Sequence, residues 1–232
     1  MPRRLAAEER ISAIVKAAIE VFSREGFRQA QMREIATIAG VSNGTLYHYF
    51  KSKEHLFLYV LENGKVEPGP EMTSPNASSA RREEELLELV KEGLARETRI
   101  ESIDRALATA PDEIDLTAEI TEIFGDMWDT MEQKHVQIAI LEKSANEFPE
   151  MLNVYETYGR NSLLKQLEVY LSTRIQQEII RPLNSVRGKA VTIIESLSFF
   201  AWKQFYEEPD ASYPRSEILP DLVGTFVGGL KK

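Results

Sequence analysis

The sequence predicts an all-α protein with a small N-terminal helix-turn-helix head and a larger helical body. Three observations carry this expectation. Apolar residues recur at three- and four-residue spacing along most of the 232 positions, with no alternating strand pattern of useful length and no internal repeat. Pro111, Pro149, Pro182, Pro209 and Pro214 punctuate the long periodic stretches that make up the body. Between Arg33 and Lys53 two short helical patterns flank Gly40, and the outer face of the second is built of groups that can meet DNA.

The head follows in chain order. Ile11, Val15, Ala18 and Phe22 form the inner stripe of a first helix, widened by Ile14 and Val21, and Glu25-Gly26 ends it. Ile35, Ala36 and Ala39 give the second helix one apolar face. Gly40 sits where the chain must turn, because glycine takes a positive φ without steric cost. Ser42 is placed to cap the third helix through its hydroxyl. Leu46 and Phe50, one turn apart, point inward. Asn43, Gly44, Thr45, Tyr47, His48 and Tyr49 then face outward, where a helix-turn-helix presents its major-groove surface.

Ser52 caps a fourth helix through Leu56, Phe57, Val60 and Leu61. The expected organisation is a DNA-binding head over 1–52 and a helical dimerisation body over 53–232. The fourth helix, 53–66, connects them, and 67–79 form a loop with three prolines and small polar residues. Helical patterns follow at about 80–109, 114–146, 149–180, 186–207 and 216–230. The last two are apolar round much of their circumference and must be covered on most sides. Val191, Ile194, Leu197 and Ala201, with Leu219, Leu222, Val223, Phe226 and Val227, are therefore the expected homodimer interface. Intrachain core is the competing reading. Gly224 and Gly228, four apart, allow close approach of another helix.

Composition bounds the rest. A hydrophobic share of 43% and a charged share of 28% are ordinary for a globular chain. The absence of cysteine excludes disulfides and thiolate metal sites. The N-terminal decapeptide is too polar for a signal peptide and no apolar run approaches a membrane span, so a cytoplasmic protein without membrane association is expected. Net charge is −9, yet residues 1–60 hold nine Lys/Arg against six Asp/Glu, giving +3. The remaining nineteen against thirty-one give −12. Screening acts over about 10 Å at ordinary salt, so a basic head on an acidic body can still bind DNA.

Residues 9–62 resemble the DNA-binding domain of the tetracycline-repressor (TetR) family of bacterial transcription regulators. The resemblance is carried by Ala18, Phe22 and Gly26-Phe27, by Arg33-Glu34-Ile35-Ala36, and by Ala39-Gly40-Val41-Ser42. It continues through Gly44-Thr45-Leu46-Tyr47-His48-Tyr49-Phe50 with Lys51, Lys53 and Glu54. It implies that Arg33 lies by the phosphates or groove edge, that Asn43, Gly44 and Thr45 enter the groove with Ser42 beside them, and that Tyr47 and Tyr49 clamp sugar-phosphate. Lys53 would bind a phosphate near a helix N-terminus. His48 reads either as a phosphate contact or as an exposed residue. On chemistry alone Asn43 suits base reading, since an amide pairs with the N6/N7 edge of adenine, and Gly44 lets the helix sit close to the bases. One departure stands out: Ala30-Gln31 replaces the family's Ser or Thr cap, which leaves Arg28 or Gln29 to supply any phosphate contact there.

For the body, the resemblance implies a dimer that binds a small-molecule inducer and thereby changes the spacing of its two heads on a double-stranded, near-palindromic operator. Repression released by inducer is the usual outcome. Phe124, Met127, Trp128 and Met131, with Tyr155, Tyr158, Phe199 and Trp202, are candidate pocket residues, although such stripes more often form core. Asp126, Asp129 and Glu132 permit a cationic ligand. The alternative is a ligand-independent structural protein that marks DNA sites and recruits a protein partner. No nucleophile-base pair, phosphate loop or metal-ligand spacing is visible, and His55 and His135 are isolated. No enzyme activity, cofactor or metal is therefore expected.

Overall fold

The structure, a computed structural model, describes residues 7–62, 79–204 and 213–231, and the side chains of 79–81 are not among those described. Of the loop expected at 67–79, Ser79 instead opens a helix and the rest lies outside the described residues, as do the end of the connector helix at 63–66, the positions 205–207 and Pro209. Every regular element among the described residues is helical. They are α1 (Ala7–Gln29), α2 (Met32–Ile38), α3 (Asn43–Tyr49), α4 (Lys53–Leu61), α5 (Ser79–Glu97), α6 (Glu101–Ala108), α7 (Leu116–Gln133), α8 (His135–Ala145), α9 (Pro149–Val154), α10 (Asn161–Gln176), α11 (Val186–Ser198) and α12 (Arg215–Leu230). A 3₁₀ turn covers Pro111–Glu113, and π-helical turns cover Tyr155–Arg160 and Phe199–Lys203.

The chain folds into two compact units. The first runs to Glu97 and takes in Val136–Tyr158; the second is Thr98–His135 with Gly159–Lys232. The continuous helices expected over 80–109 and 114–146 are each broken, at Thr98–Ile100 and at Lys134 (φ −111°, ψ 14°). Neither break carries Gly or Pro. Both fall where the chain passes from one unit to the other, and so does the π turn at Tyr155–Arg160. Long-range packing sets these boundaries, which local periodicity does not report.

In the first unit, Ile14, Ala17, Ala18, Val21 and Phe22 of α1 pack with Ile35 and Ala36 of α2, Leu46 of α3, and Leu56, Phe57 and Val60 of α4. The α1 stripe is centred on Ile14–Ala18–Val21; Ile11 and Val15 are only partly buried at its edge. Phe57 makes edge-to-face contacts with Phe22 and Phe27 at 5.0 and 4.9 Å between ring centres. Each fully buried phenylalanine contributes about 1.5–3 kcal/mol of apolar burial. α4 buries residues on nearly every side, including Glu54 and His55, because α1 and α5 flank it.

Gly26 breaks α1 three residues before its end. Its φ of +77° is left-handed, and a Cβ there would stand 2.3 Å from Glu147 Oε1. The break frees the amides of the next two residues from the helix ladder. Phe27 N donates to Ser144 Oγ at 3.0 Å and Arg28 N to Glu147 Oε1 at 2.9 Å, so the α8–α9 corner caps them. The Arg28 guanidinium lies 4.0 Å over the Phe148 ring and reaches Glu83 (3.2 Å) and Glu150 (3.6 Å).

The second unit packs α7 against α6, α11 and α12, with α10 against α6 and α11. Its polar centre is Arg174, fully buried on α10. Arg174 Nε and Nη2 donate to Glu119 at 2.9 and 2.6 Å, Nη1 donates to Gln177 Oε1 at 2.6 Å, and Nη2 also reaches the Ala106 carbonyl. Tyr170 Oη donates to the same carboxylate at 2.9 Å, and burial first, then Glu119, pushes the phenol pKa far up. A charge buried this deeply is tolerated because its donors are satisfied.

Candidate nucleic-acid interface

The turn between α2 and α3 is built by local rules. Gly40 takes φ +67° with open space where a Cβ would be. Ser42 has extended backbone and its Oγ accepts from Thr45 N at 3.1 Å, the N-cap that the sequence calls for. The two hydroxyls of Ser42 and Thr45 are 2.9 Å apart. Leu46 and Phe50 are fully buried and hold α3 to the head core. Arg33, Ser42, Asn43, Gly44, Tyr47 and His48 are exposed, and Thr45 and Tyr49 are half-buried. Eight of the nine expected DNA-binding residues, those at the α2 start, the α3 cap and α3, are thus at least partly accessible. Tyr47, 45% exposed, has no apolar role to explain it.

Lys53 is the exception. Its ammonium turns toward the broken end of α1 and donates to the carbonyls of Arg28 (2.9 Å) and Ala30 (3.1 Å), 4.7 Å from the Phe27 ring centre. Burial lowers its pKa from the ordinary lysine value, against the raising influence of Glu54, Glu147 and Glu83. An ammonium has three N–H donors, so one is left for a phosphate.

Gln31 starts α2 without a side-chain cap bond, as the Ala30-Gln31 departure suggests. Glu34 pairs with Arg24 rather than closing a capping box. Arg28, considered as a substitute phosphate contact, is committed to Glu83, Glu150 and Phe148.

The cations of the head sort by partner. Arg24 and Arg28 face carboxylates, and Lys53 faces carbonyls. Arg10, Lys16, Arg33 and Lys51 have no carboxylate partner among the described residues. Lys51 Nζ donates to the His48 carbonyl at 3.3 Å, and Arg10 Nη1 donates to Tyr49 Oη at 3.4 Å. No sequence signal could reveal that last pairing, because 39 residues separate its members.

The candidate pocket residues divide between the units. Phe124, Met127, Trp128, Met131, Phe199 and Trp202 belong to the second, whereas Tyr155 and Tyr158 belong to the first. Tyr155 Oη donates to Glu142 at 3.0 Å and its ring packs on the first core. Phe124, Met127, Trp128, Met131 and Trp202 are buried. The indole Nε1 of Trp128 and the hydroxyl of Ser102 have no hydrogen-bond partner among the described residues. Two of the acidic groups weighed for a cationic ligand are spent outward: Asp126 faces Arg105 at 3.5 Å and Asp129 faces Arg215 at 3.0 Å.

The candidate dimer residues also divide. Ile194, Leu197, Ala201, Val223, Phe226 and Val227 are buried within a single chain, where Phe226 meets the Phe124 ring at 5.4 Å. Val191, Leu219 and Leu222 remain partly accessible. Gly224 and Gly228 are exposed, with nothing within 4 Å of an added Cβ.

Comparison with known proteins bears on this head. Residues 14–60 match the model of the family "bacterial regulatory proteins, tetR family". The transcriptional repressor NicS of Pseudomonas putida is 48% identical over 50 residues, 22% of this chain and 24% of that protein. The transcriptional activator FasR of Mycolicibacterium smegmatis is 48% identical over 59 residues, 25% of this chain and 27% of that one. These matches span about a quarter of the relatives' length. Among solved structures, the ketosteroid transcriptional regulator KstR2 of Mycobacterium tuberculosis superposes with a TM-score of 0.61 over 99% of this chain and 97% of its own, at 19% identity. That likeness extends the shared fold beyond the head and speaks to fold alone.

Proposed function

We propose that this chain, a TetR-family transcriptional regulator, is a homodimeric repressor that binds a near-palindromic operator and is released from it by a small-molecule inducer. One observation carries the DNA-binding part: Arg33, Ser42, Asn43, Gly44, Thr45, Tyr47 and His48 are presented together on α3 and the start of α2, while Leu46 and Phe50 anchor the same helix from behind. Asn43 reads a base edge, Tyr47 and Tyr49 hold the backbone, and Arg33 faces phosphate or groove edge.

Two α3 helices must reach successive major grooves about 34–36 Å apart, which requires a dimer. The outward side of α11 and α12 suits this, where Gly224 and Gly228 leave room for a second helix and Val191, Leu219 and Leu222 are half-exposed. The inducer site is assigned to the second unit around Trp128, whose buried indole N–H lacks an acceptor among the described residues. A ligand that favours one dimer spacing shifts DNA affinity by its differential affinity for the two states. NicS is a repressor and FasR an activator at equal identity in the head, so repression rests on the family's usual behaviour.

Selection of bound duplexes from a random-sequence library is the test. The expected result is enrichment of inverted half-sites one helical turn apart, with Asn43→Ala losing the enrichment but keeping weak binding to all duplexes. Equal enrichment by the Asn43→Ala variant, or none by the natural chain, refutes the assignment. Sedimentation as a monomer at micromolar concentration refutes the dimer.

A further inference from the structure

We propose that Arg10, at the start of α1, and Tyr49, at the end of α3, form a single clamp on a DNA backbone phosphate. This rests on the DNA-binding reading above and adds a contact that lies outside the helix-turn-helix itself. Arg10 Nη1 donates to Tyr49 Oη at 3.4 Å, and among the described residues Arg10 has no carboxylate to neutralise it. Receiving that bond occupies the phenol oxygen as an acceptor and leaves its O–H to donate outward. That bond uses one of the five N–H donors of the guanidinium and leaves the others for an anion beside the hydroxyl. A phosphate oxygen pair matches this combination of planar fork and neutral donor.

The surroundings favour an anion there. The end of α3 carries the partial negative charge of its last carbonyls, which alone would repel a phosphate. Lys51 Nζ bonds the His48 carbonyl at 3.3 Å and offsets that charge. The Tyr49 ring packs against the head core and against the His48 edge at 5.2 Å, so the hydroxyl is held in place before DNA arrives. By contrast, Arg24 and Arg28 are already paired with carboxylates inside the first unit. The clamp would grip the backbone at the opposite end of α3 from Asn43 and Gly44, fixing the angle at which the helix enters the groove.

The test is fluorescence anisotropy with two duplexes, one recovered by the selection above and one of scrambled sequence, each titrated with KCl. Arg10→Ala should weaken both by about tenfold per head and lower the salt slope by about 1 per head. Arg10→Lys should restore the slope but not the full affinity, because the charge returns without the fork. Tyr49→Phe should weaken both duplexes with the slope unchanged, since no charge is lost. The double variant should lose less than the product of the two single losses, as both act on one phosphate. An Arg10→Ala slope equal to that of the natural chain overturns the clamp and leaves the DNA-binding reading intact; so do losses that multiply. If the natural chain binds neither duplex, the clamp falls together with the reading it rests on.

Discussion

Replacing Gly44 by alanine separates fold from function at one atom. Gly44 is the second residue of α3 and exposed; an added Cβ would meet only Ser42 Oγ, at 3.8 Å, an ordinary contact. The folded head therefore has room for the methyl. Alanine is favoured over glycine in a helix by about 1 kcal/mol in the interior, and roughly half that is expected in the first turn. For a chain of this size the melting temperature should rise by about 1–2 °C. In the proposed DNA complex the same methyl would stand between the helix and the base edges. Displacing α3 costs the contact made by the neighbouring Asn43, a loss of about 1–3 kcal/mol of base discrimination. That is a rise of roughly five- to 150-fold in Kd for the selected duplex, with little change for a scrambled one. Thermal melting by circular dichroism and anisotropy on both duplexes measure the two effects. Natural affinity for the selected duplex in a variant that melts no lower would place Gly44 away from the groove and refute the argument. A large loss of stability would refute the helical geometry assigned to it.

Further outcomes follow from other groups. Lys53→Ala removes the donor from two carbonyls at the broken end of α1 and should cost about 1–3 kcal/mol of stability; a denaturant midpoint unchanged from the natural chain would return Lys53 to a purely phosphate-facing role. Glu178 holds φ +61° just after α10, with the Ile179 amide donating to the Arg174 carbonyl at 2.9 Å. Glu178→Gly should therefore stabilise the chain by roughly 0.5–1 kcal/mol in thermal melts. Burial pushes the Glu195 carboxyl up, but Arg160 at 2.7 Å and Lys203 at 3.1 Å outweigh it and hold it below its ordinary value of 4.5. Its contribution to stability is thus complete above that value and is lost as pH falls through the lowered one. The stability difference between the natural chain and Glu195→Gln should shrink on acidification below about pH 4.5.

What the sequence reveals and conceals divides by the range of the interaction responsible. Ser42, Gly40, Leu46 and Phe50 are legible because a cap, a turn and a helical stripe are set within four residues. The helix breaks at Thr98–Ile100 and Lys134 are illegible, since the chain leaves one compact unit there without local punctuation. Lys53 and Arg10 show the same limit for single side chains: their partners lie 23 to 39 residues away. The apolar helices α11 and α12 are read correctly as needing cover. Periodicity cannot say how much of that cover comes from the chain itself, and α7 supplies a large part of it.

The capping of Phe27 and Arg28 by Ser144 and Glu147 bears on how this head can be moved between proteins. A chimera cut after α4 would carry two orphaned amides, an arginine stripped of Phe148, and the apolar faces that Ile140 and Leu141 help to cover. The transplantable unit is consequently discontinuous in sequence. A swap that keeps the head folded must bring Val136–Tyr158 with it, spliced into the recipient at two further junctions.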